Sequence, residues 1–342
     1  MPQSEAVPLV IQVGKWRRQI TLPALTACAD TPLADGTVRL PRDRTEGDLP
    51  KFAVVRGGSD ALECLFTKIG VSPSEFTAGP GDERIHLYVN DDTKLAATGQ
   101  MVGGGAIPLA GTLYSKLDDL MGYDAMFLAC DGNGRNTFEE TLSKYGASVF
   151  SNIQKYADQG GRVFGSHYHN YWVRPDKFDE DEVAPYPAVA AFASSQHGFD
   201  ADVTGDVDAS FPKGAALRDW LVNVGASATP GKLLIHDGEH TVDATLPGTS
   251  QSWITTSDPD GHAGVVQYFS FTTPVGGAEC GRMVFSDLHV AAGTGDSGKV
   301  PFPTGCTSTS LSPQEKALAF MLFDLSSCVQ AETDDVKPPK VF

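Results

Sequence analysis

The chain has 342 residues, with 26 Lys and Arg against 43 Asp and Glu, and a formal charge of −17 at pH 7. That excess excludes nucleic acid and anionic membrane surfaces as partners, because each requires a basic face to displace counterions. Apolar residues make up 41% of the sequence and are spread along it, the composition of a globular protein. No run of about 18 apolar residues exists, so no membrane span is expected.

Met1 is followed by PQSEAVPLV, which has neither a basic segment nor an apolar stretch of signal-peptide length. A mature or trimmed form is therefore expected. Six cysteines (Cys28, Cys64, Cys130, Cys280, Cys306 and Cys328) contain no CxxC pair, which excludes a zinc ribbon or a thioredoxin motif. Their wide spacing, with 36 Gly and 22 Pro, reads as an extracellular or periplasmic protein holding two or three disulfides; six buried thiols are the alternative.

Residues 7–22 predict a short N-terminal β-hairpin around Gly14, and 23–50, rich in Pro, Asp, Thr and Gly, a linker strap. From Lys51 the pattern changes to apolar strands alternating with amphipathic helices, an α/β layered fold. The first strand is KFAVVRGG (51–58), followed by a helix over 59–70 with Ser59 as N-cap and Gly70 as stop. Strand RIHLYVN (84–90), a glycine-rich loop and a helix at 111–122 follow. Strand AMFLAC (125–130) then leads through DGNGRN to one helix over 137–158 and strand RVFGSH (162–167). Such an order predicts a mostly parallel sheet with helices on both faces and a ligand crevice at the carboxyl ends of the strands.

Residues 168–212 break the rhythm with the acidic runs 176–182 and 199–208, an insertion or lid. A helix at 212–225 and strands at 232–236, 263–273 and 282–288 predict an antiparallel extension. SPQE (312–315) is a capping box, with Ser312 as N-cap and Pro313 at the first helical position. The organisation expected is a hairpin and strap over 1–50, one α/β domain over 51–330, and a frayed tail over 331–342.

Two strand ends gather histidines. GSHYHNYW holds His167 and His169, and FSDLHV holds Asp287 and His289, both in an i, i+2 relation that shares one side of a continuing strand. Together they form an N/O ligand set suited to a divalent transition metal, zinc first. A histidine merely hydrogen-bonded to a neighbouring loop is the plain reading. GRVFGSHYH departs from the nucleophile elbow G-x-S-x-G, because His167 rather than Ser166 takes the central place, so a serine hydrolase is not expected. Cys130, beside Asp131 and Asn133 at another strand end, reads as structural rather than nucleophilic. Asp60 and Glu63 after the first strand suit a general base or a partner to a histidine, or else a helix surface. Asp200, Asp202, Asp206 and Asp208, or Asp258 and Asp260, offer oxygen ligands for calcium, though neither group follows the EF-hand pattern. HDGEH (236–240) is not H-E-x-x-H and implies no zincin. Tyr168, Tyr171, Trp172 and Trp253 are candidates for an aromatic platform or for the core.

The YDAMFLAC, GGRVFGSH and GRMVFSDLH strands and the order of elements from Lys51 resemble the ThuA-like (trehalose-utilisation) family, a branch of the class I glutamine-amidotransferase-like superfamily. The resemblance covers roughly 51–328. It implies a flavodoxin-like fold, with His167 in the G-x-H position of the elbow, His289 ending the late strand, and Gly57 and Gly58 after the first strand. His169, Asp287, the acidic insertion and the cysteines depart from the family pattern. Two readings follow. One is an extracellular hydrolase with His167, His289 and Asp60 catalytic, a metal on His167, His169, Asp287 and His289, and a small-molecule or polymer substrate, carbohydrate for example, met by Gly57, Gly58, Asp131, Asn133, Tyr168 and Trp172. The other is a non-catalytic ligand-binding or surface-display module. No nucleotide cofactor is expected.

Overall fold

The structure, a computed structural model, describes residues 6–26, 28–90, 99–132, 135–174, 186–290 and 292–327. β1 (Val7–Val13) turns at Gly14 into β2 (Trp16–Leu22), and the short β3 (Gly47–Asp48) adds a third antiparallel strand. Glycine is required at the turn: φ is 55°, and a Cβ there would lie 1.7 Å from the Ser326 carbonyl oxygen. Trp16 ties this sheet to the rest, with its ring against Phe52 and Phe323 and its Nε1 donating to the Pro41 carbonyl.

The α/β portion runs β4 (Phe52–Arg56), α1 (Leu62–Lys68), β5 (Phe76–Thr77), β6 (Ile85–Val89), α2 (Ala110–Tyr114), α3 (Leu117–Leu120), β7 (Ala125–Leu128), α4 (Arg135–Tyr145), α5 (Ser148–Asp158) and β8 (Arg162–Ser166). It continues through β9 (Ala190–Gly198), β10 (Val203–Val207), α6 (Pro212–Asn223), β11 (Lys232–Ile235), β12 (Glu239–Thr245), β13 (Gln251–Thr256), β14 (Val265–Thr273), β15 (Gly281–Ser286) and α7 (Pro313–Ser326). Ten strands make one sheet in the order β11-β10-β13-β14-β15-β8-β7-β4-β6-β5. From β15 to β5 it is parallel; β14, β13, β10 and β11 extend it antiparallel, as expected. β9 and β12 pair with each other in a separate ribbon packed against β14.

The parallel strands are continuous apolar runs because both their faces are covered. Phe52 and Val54 of β4 enter a core with α1, α6 and α7, while Ala53 and Val55 enter a second core with α2, α3, α4 and α5. In the first, the rings of Phe52, Phe66 and Phe127 meet at centroid separations of 5.3–5.5 Å. Such pairs add about 0.5–1.5 kcal/mol beyond area burial.

Several helix boundaries differ from the sequence expectation. The helix expected over 137–158 is two, because Gly146 takes φ of 75° and closes α4 before α5 begins. The helix expected over 111–122 is likewise split into α2 and α3 by Lys116, which is extended. Ser59 is not the N-cap of α1. Its backbone N–H and that of Asp60 both donate to the Cys130 carbonyl, at 3.1 and 3.2 Å, drawing the segment onto the end of β7 and delaying the helix to Leu62. α7 begins as expected, with Ser312 accepting from Glu315 N and Glu315 returning to Ser312 N. Part of the expected insertion is strand, β9 and β10; the acidic run 176–182 and the tail 331–342 lie outside the described residues.

Cys64 and Cys306 form a disulfide that ties α1 to the segment before α7 across 242 residues. Cys28, Cys130 and Cys280 are free thiols and Cys328 lies outside the described residues, so the described residues hold one bridge where two or three were expected. Beside it, Lys68 is buried between Asp296 and Glu315. Replacing both Cys64 and Cys306 by Ala should cost about 2–5 kcal/mol in urea unfolding, and intact mass before and after reduction should differ by the two hydrogens of one bridge.

Candidate functional site

Four chain segments end together at the carboxyl edge of the parallel sheet: the turn after β4, the exit of β7, the exit of β8 and the segment after β15. β8 passes directly into a 3₁₀ turn over His167–Trp172, and His167 is held at φ of 39°. A non-glycine residue in the left-handed region costs about 1–3 kcal/mol, and such strain concentrates at functional sites. Gly57 permits the convergence, since a Cβ there would lie 2.0 Å from the Cys130 carbonyl oxygen.

The side chains form one connected row. Ser166 Oγ donates to Asp60 Oδ2; Asp60 Oδ1 accepts from Val290 N at 2.8 Å and from His289 Nδ1 at 3.2 Å. His289 Nε2 reaches Glu239 Oε1 at 3.2 Å. Glu239 Oε2 stands 3.5 Å from His167 Nε2, and His167 Nδ1 lies 3.5 Å from Cys130 Sγ. The two imidazoles are edge to face, 5.4 Å apart. Gly198, paired with Glu239 across the ribbon, leaves room for that carboxylate: a Cβ would come within 3.2 Å of it.

The row separates the two histidines chemically. Burial lowers His167 to about 4, with the nearby His289 adding to the effect and Glu239 opposing it, so its ring is neutral at pH 7. Burial acts the same way on His289, but Asp60 and Glu239 outweigh it and push that ring up to about 10, making it an imidazolium. Asp60 is fully buried, yet the His289 charge and three donors hold its carboxyl below the usual range. Burial, with Asp60 and Asp131, keeps the Cys130 thiol protonated and rules against a free thiolate nucleophile. Taken together, these states make Cys130 the donor to His167 Nδ1, and His167 Nε2–H the group facing Glu239.

A cleft of about 490 Å³ opens over the row. His289 and Glu239 line it, with Gly58, Ser59, Phe199, Asp237, Asp296 and Lys299 among its other walls, so it is strongly polar with one aromatic face. His167 lies behind Glu239 rather than in the wall.

Of the residues expected at the site, His167, His289, Asp60, Gly57, Gly58 and Asp131 are brought together. His169 is turned elsewhere: its Nε2 donates to the Ala129 carbonyl at 3.0 Å and its Nδ1 accepts from Trp172 Nε1 and Tyr171 Oη. Asp287 is also directed away. It is fully buried, its Oδ2 accepts from Thr241 N, and burial raises its carboxyl well above the ordinary value. It supports the site indirectly, because its carbonyl accepts from Glu239 N at 3.0 Å. Trp172 is core, against Tyr114 and Phe150, while half-buried Tyr168 stacks on His167. Glu63 is paired with Arg56 at 2.7 Å, both buried. Asn133 lies outside the described residues. Of the acidic groups expected for calcium, the one over 200–208 is dispersed: Asp202 meets His236, Asp206 meets Lys232 and Asp208 caps Ser210 N. The residue that the sequence reading missed is Glu239, whose signal was its place between two histidines in HDGEH.

Two groups among the described residues have donor atoms close enough to hold a metal, each within 4.8 Å of the others: Cys130, His167 and His289, and, away from this row, His197, His240 and Asp258.

No protein-family model matches the chain, and no curated protein matches it. Among solved structures it is similar to a cytoplasmic protein from Salmonella typhimurium (TM-score 0.41, 11% identity, covering 80% of this chain and 98% of that one). It is also similar to a ThuA-like protein from Bacteroides uniformis (TM-score 0.37, 10% identity, 80% and 89%) and to the N-terminal domain of IFT52 (TM-score 0.38, 9% identity, 81% and 97%). A ThuA-like protein is thus among the structural neighbours of a chain whose own motifs resemble that family; at these TM-scores the likenesses carry no argument about activity.

Because His289 binds its proton more tightly folded than unfolded, its contribution to stability is complete below about pH 6.5 and is lost as pH rises through about 10. His289→Gln, which strands the buried Asp60 charge, should therefore cost about 3–5 kcal/mol at pH 6 and distinctly less at pH 10.5, measured by urea denaturation at both.

Proposed function

We propose that this chain is a hydrolase of ThuA-like, flavodoxin-like fold that works by general acid–base chemistry at the polar cleft. The observation that carries the reading is the contact between an imidazolium, His289, and a carboxylate, Glu239, 3.2 Å apart in the cleft wall. A protonated imidazole in contact with a carboxyl group places a proton donor and a proton acceptor side by side in the wall of the cleft. The parallel strand order β6-β4-β7-β8-β15 supports the flavodoxin-like assignment.

In this reading a water molecule gives a proton to Glu239 as its oxygen attacks the scissile carbon, and His289 gives a proton to the leaving oxygen. Glu239 then returns its proton to His289 across their contact, restoring both groups. Asp60 keeps His289 charged and fixes its ring. His167, neutral and with its Nε2 facing Glu239 at 3.5 Å, is a positioning residue. The cleft walls of glycine, serine and acidic side chains, with Phe199 as one stacking face, suit a hydroxyl-rich substrate, a carbohydrate or another extracellular polymer. The Cys64–Cys306 bridge supports an oxidising compartment, extracellular or periplasmic.

A second reading keeps the metal. Cys130, His167 and His289 are a Cys/His₂ donor set of the kind zinc takes, and a zinc ion there would supply an activated water. It requires both Cys130 and His289 to give up protons that their surroundings hold.

Turnover of oligosaccharides and model esters by the full chain tests the assignment. Glu239→Gln and His289→Gln should each lower it about 10²–10⁴-fold, and His167→Gln less, in KM and kcat together. Activity should persist to about pH 9 and fall through about 10 as His289 loses its proton. Dependence on a stoichiometric metal, lost in Cys130→Ser, would favour the second reading. Saturable binding of a ligand with no turnover of any substrate would make the chain a binding module and overturn the proposal.

A further inference from the structure

A second polar cluster lies on the opposite side of the β9/β12 ribbon from the cleft. His197 and His240 are direct cross-strand partners, so their rings share one face. Asp258, in the loop after β13, reaches the same face with its side chain fully buried. Its Oδ2 lies 2.8 Å from His240 Nδ1, 2.7 Å from His262 Nδ1 and 3.7 Å from His197 Nε2. Asp260 Oδ2 lies 3.4 Å from His197 Nε2.

The outward nitrogens of both strand histidines are already engaged. His240 Nε2 is 2.8 Å from Asp243 Oδ1, and His197 Nδ1 is 3.4 Å from the Ser195 carbonyl. A carboxylate or a backbone carbonyl on the far ring nitrogen is the arrangement that fixes the tautomer and the orientation of a metal-bound imidazole. The inward nitrogens of His240 and His262 meet the Asp258 carboxylate in hydrogen bonds, and a cation bound among them takes the place of those protons. His197 Nε2 is closed to solvent and makes no hydrogen bond among the described residues.

We infer that His197 Nε2, His240 Nδ1 and Asp258 Oδ2 form a binding site for a divalent transition metal, with His262 Nδ1 available as a fourth donor. The three donors lie within 4.8 Å of one another, and contraction to zinc bond lengths of roughly 2.0–2.2 Å needs only small side-chain movements. The nitrogen-rich set selects zinc, copper or nickel over calcium, although Asp258 and Asp260 taken alone suggested an oxygen site. The ion joins the β9/β12 ribbon to the loop between β13 and β14, two parts of the chain otherwise held there by hydrogen bonds.

The full chain, stripped with chelator, is titrated with zinc alone and, separately, with cobalt as a spectroscopic probe. One equivalent of zinc should bind, and it should be weakened at least tenfold in His197→Gln and in His240→Gln but retained in Cys130→Ser. Cobalt in the parent should give a visible spectrum without a thiolate charge-transfer band, which separates this site from the Cys130 group even where a variant folds poorly. Absence of metal binding, a thiolate band, or unchanged affinity in His197→Gln would overturn the inference.

Discussion

The row of polar side chains at the candidate site depends on a sheet whose parallel half is covered on both faces. β4, β7, β8 and β15 have no solvent side on which to place a polar group, so their chemistry appears where they stop: Asp60 after β4, Cys130 and Asp131 after β7, His167 after β8, His289 after β15. The apolar layers that bury the strands also bury the first atoms beyond them. Asp60 and His289 therefore interact in a setting of low polarity, where a carboxylate and an imidazole settle as an ion pair and a histidine without so close a partner stays neutral. The different proton affinities of two histidines 5.4 Å apart come from burial that at His289 alone is outweighed by hydrogen-bonded Asp60 and Glu239.

The fold was readable in the sequence wherever burial was two-sided or a cap was explicit. Continuous apolar runs marked β4, β7, β8 and β15, and Ser312, Pro313 and Glu315 marked the start of α7. Boundaries were lost where a backbone event overrode side-chain pattern, as at Gly146 or at Ser59, whose N–H was taken by the Cys130 carbonyl. At the site, His167, His289 and Asp60 were legible because strand ends are where ligands collect in such sheets. The pairings of His169 and Asp287 failed for one reason: an i, i+2 relation shares a face only while the strand lasts. β8 ends at Ser166 and β15 at Ser286, so the second member of each pair follows a different path.

Glu239 and the His197–His240 pair were hidden for another reason. They lie on a ribbon whose two strands are some forty residues apart in sequence and pair with two register irregularities. Nothing local in EHTVDAT announces its partner, and long-range pairing is what a single sequence expresses least. Asp287, just past the end of β15, and Gln267 of β14 bind the backbone of Glu239, so the carboxylate owes its position to strands that the pattern did reveal.

β12 presents Glu239 to the cleft and the very next residue, His240, to the cluster behind it, and β9 repeats this with Gly198 and His197. Alternation makes the ribbon a partition wall with different furniture on each side. The two sides are consequently not free to evolve apart: a one-residue slip in β12 would bring His240 into the cleft and carry Glu239 out of it, and one in β9 would replace Gly198 there with His197. Diversification of this protein should proceed by substitution within β9 and β12 and leave changes of length to the loops that join them.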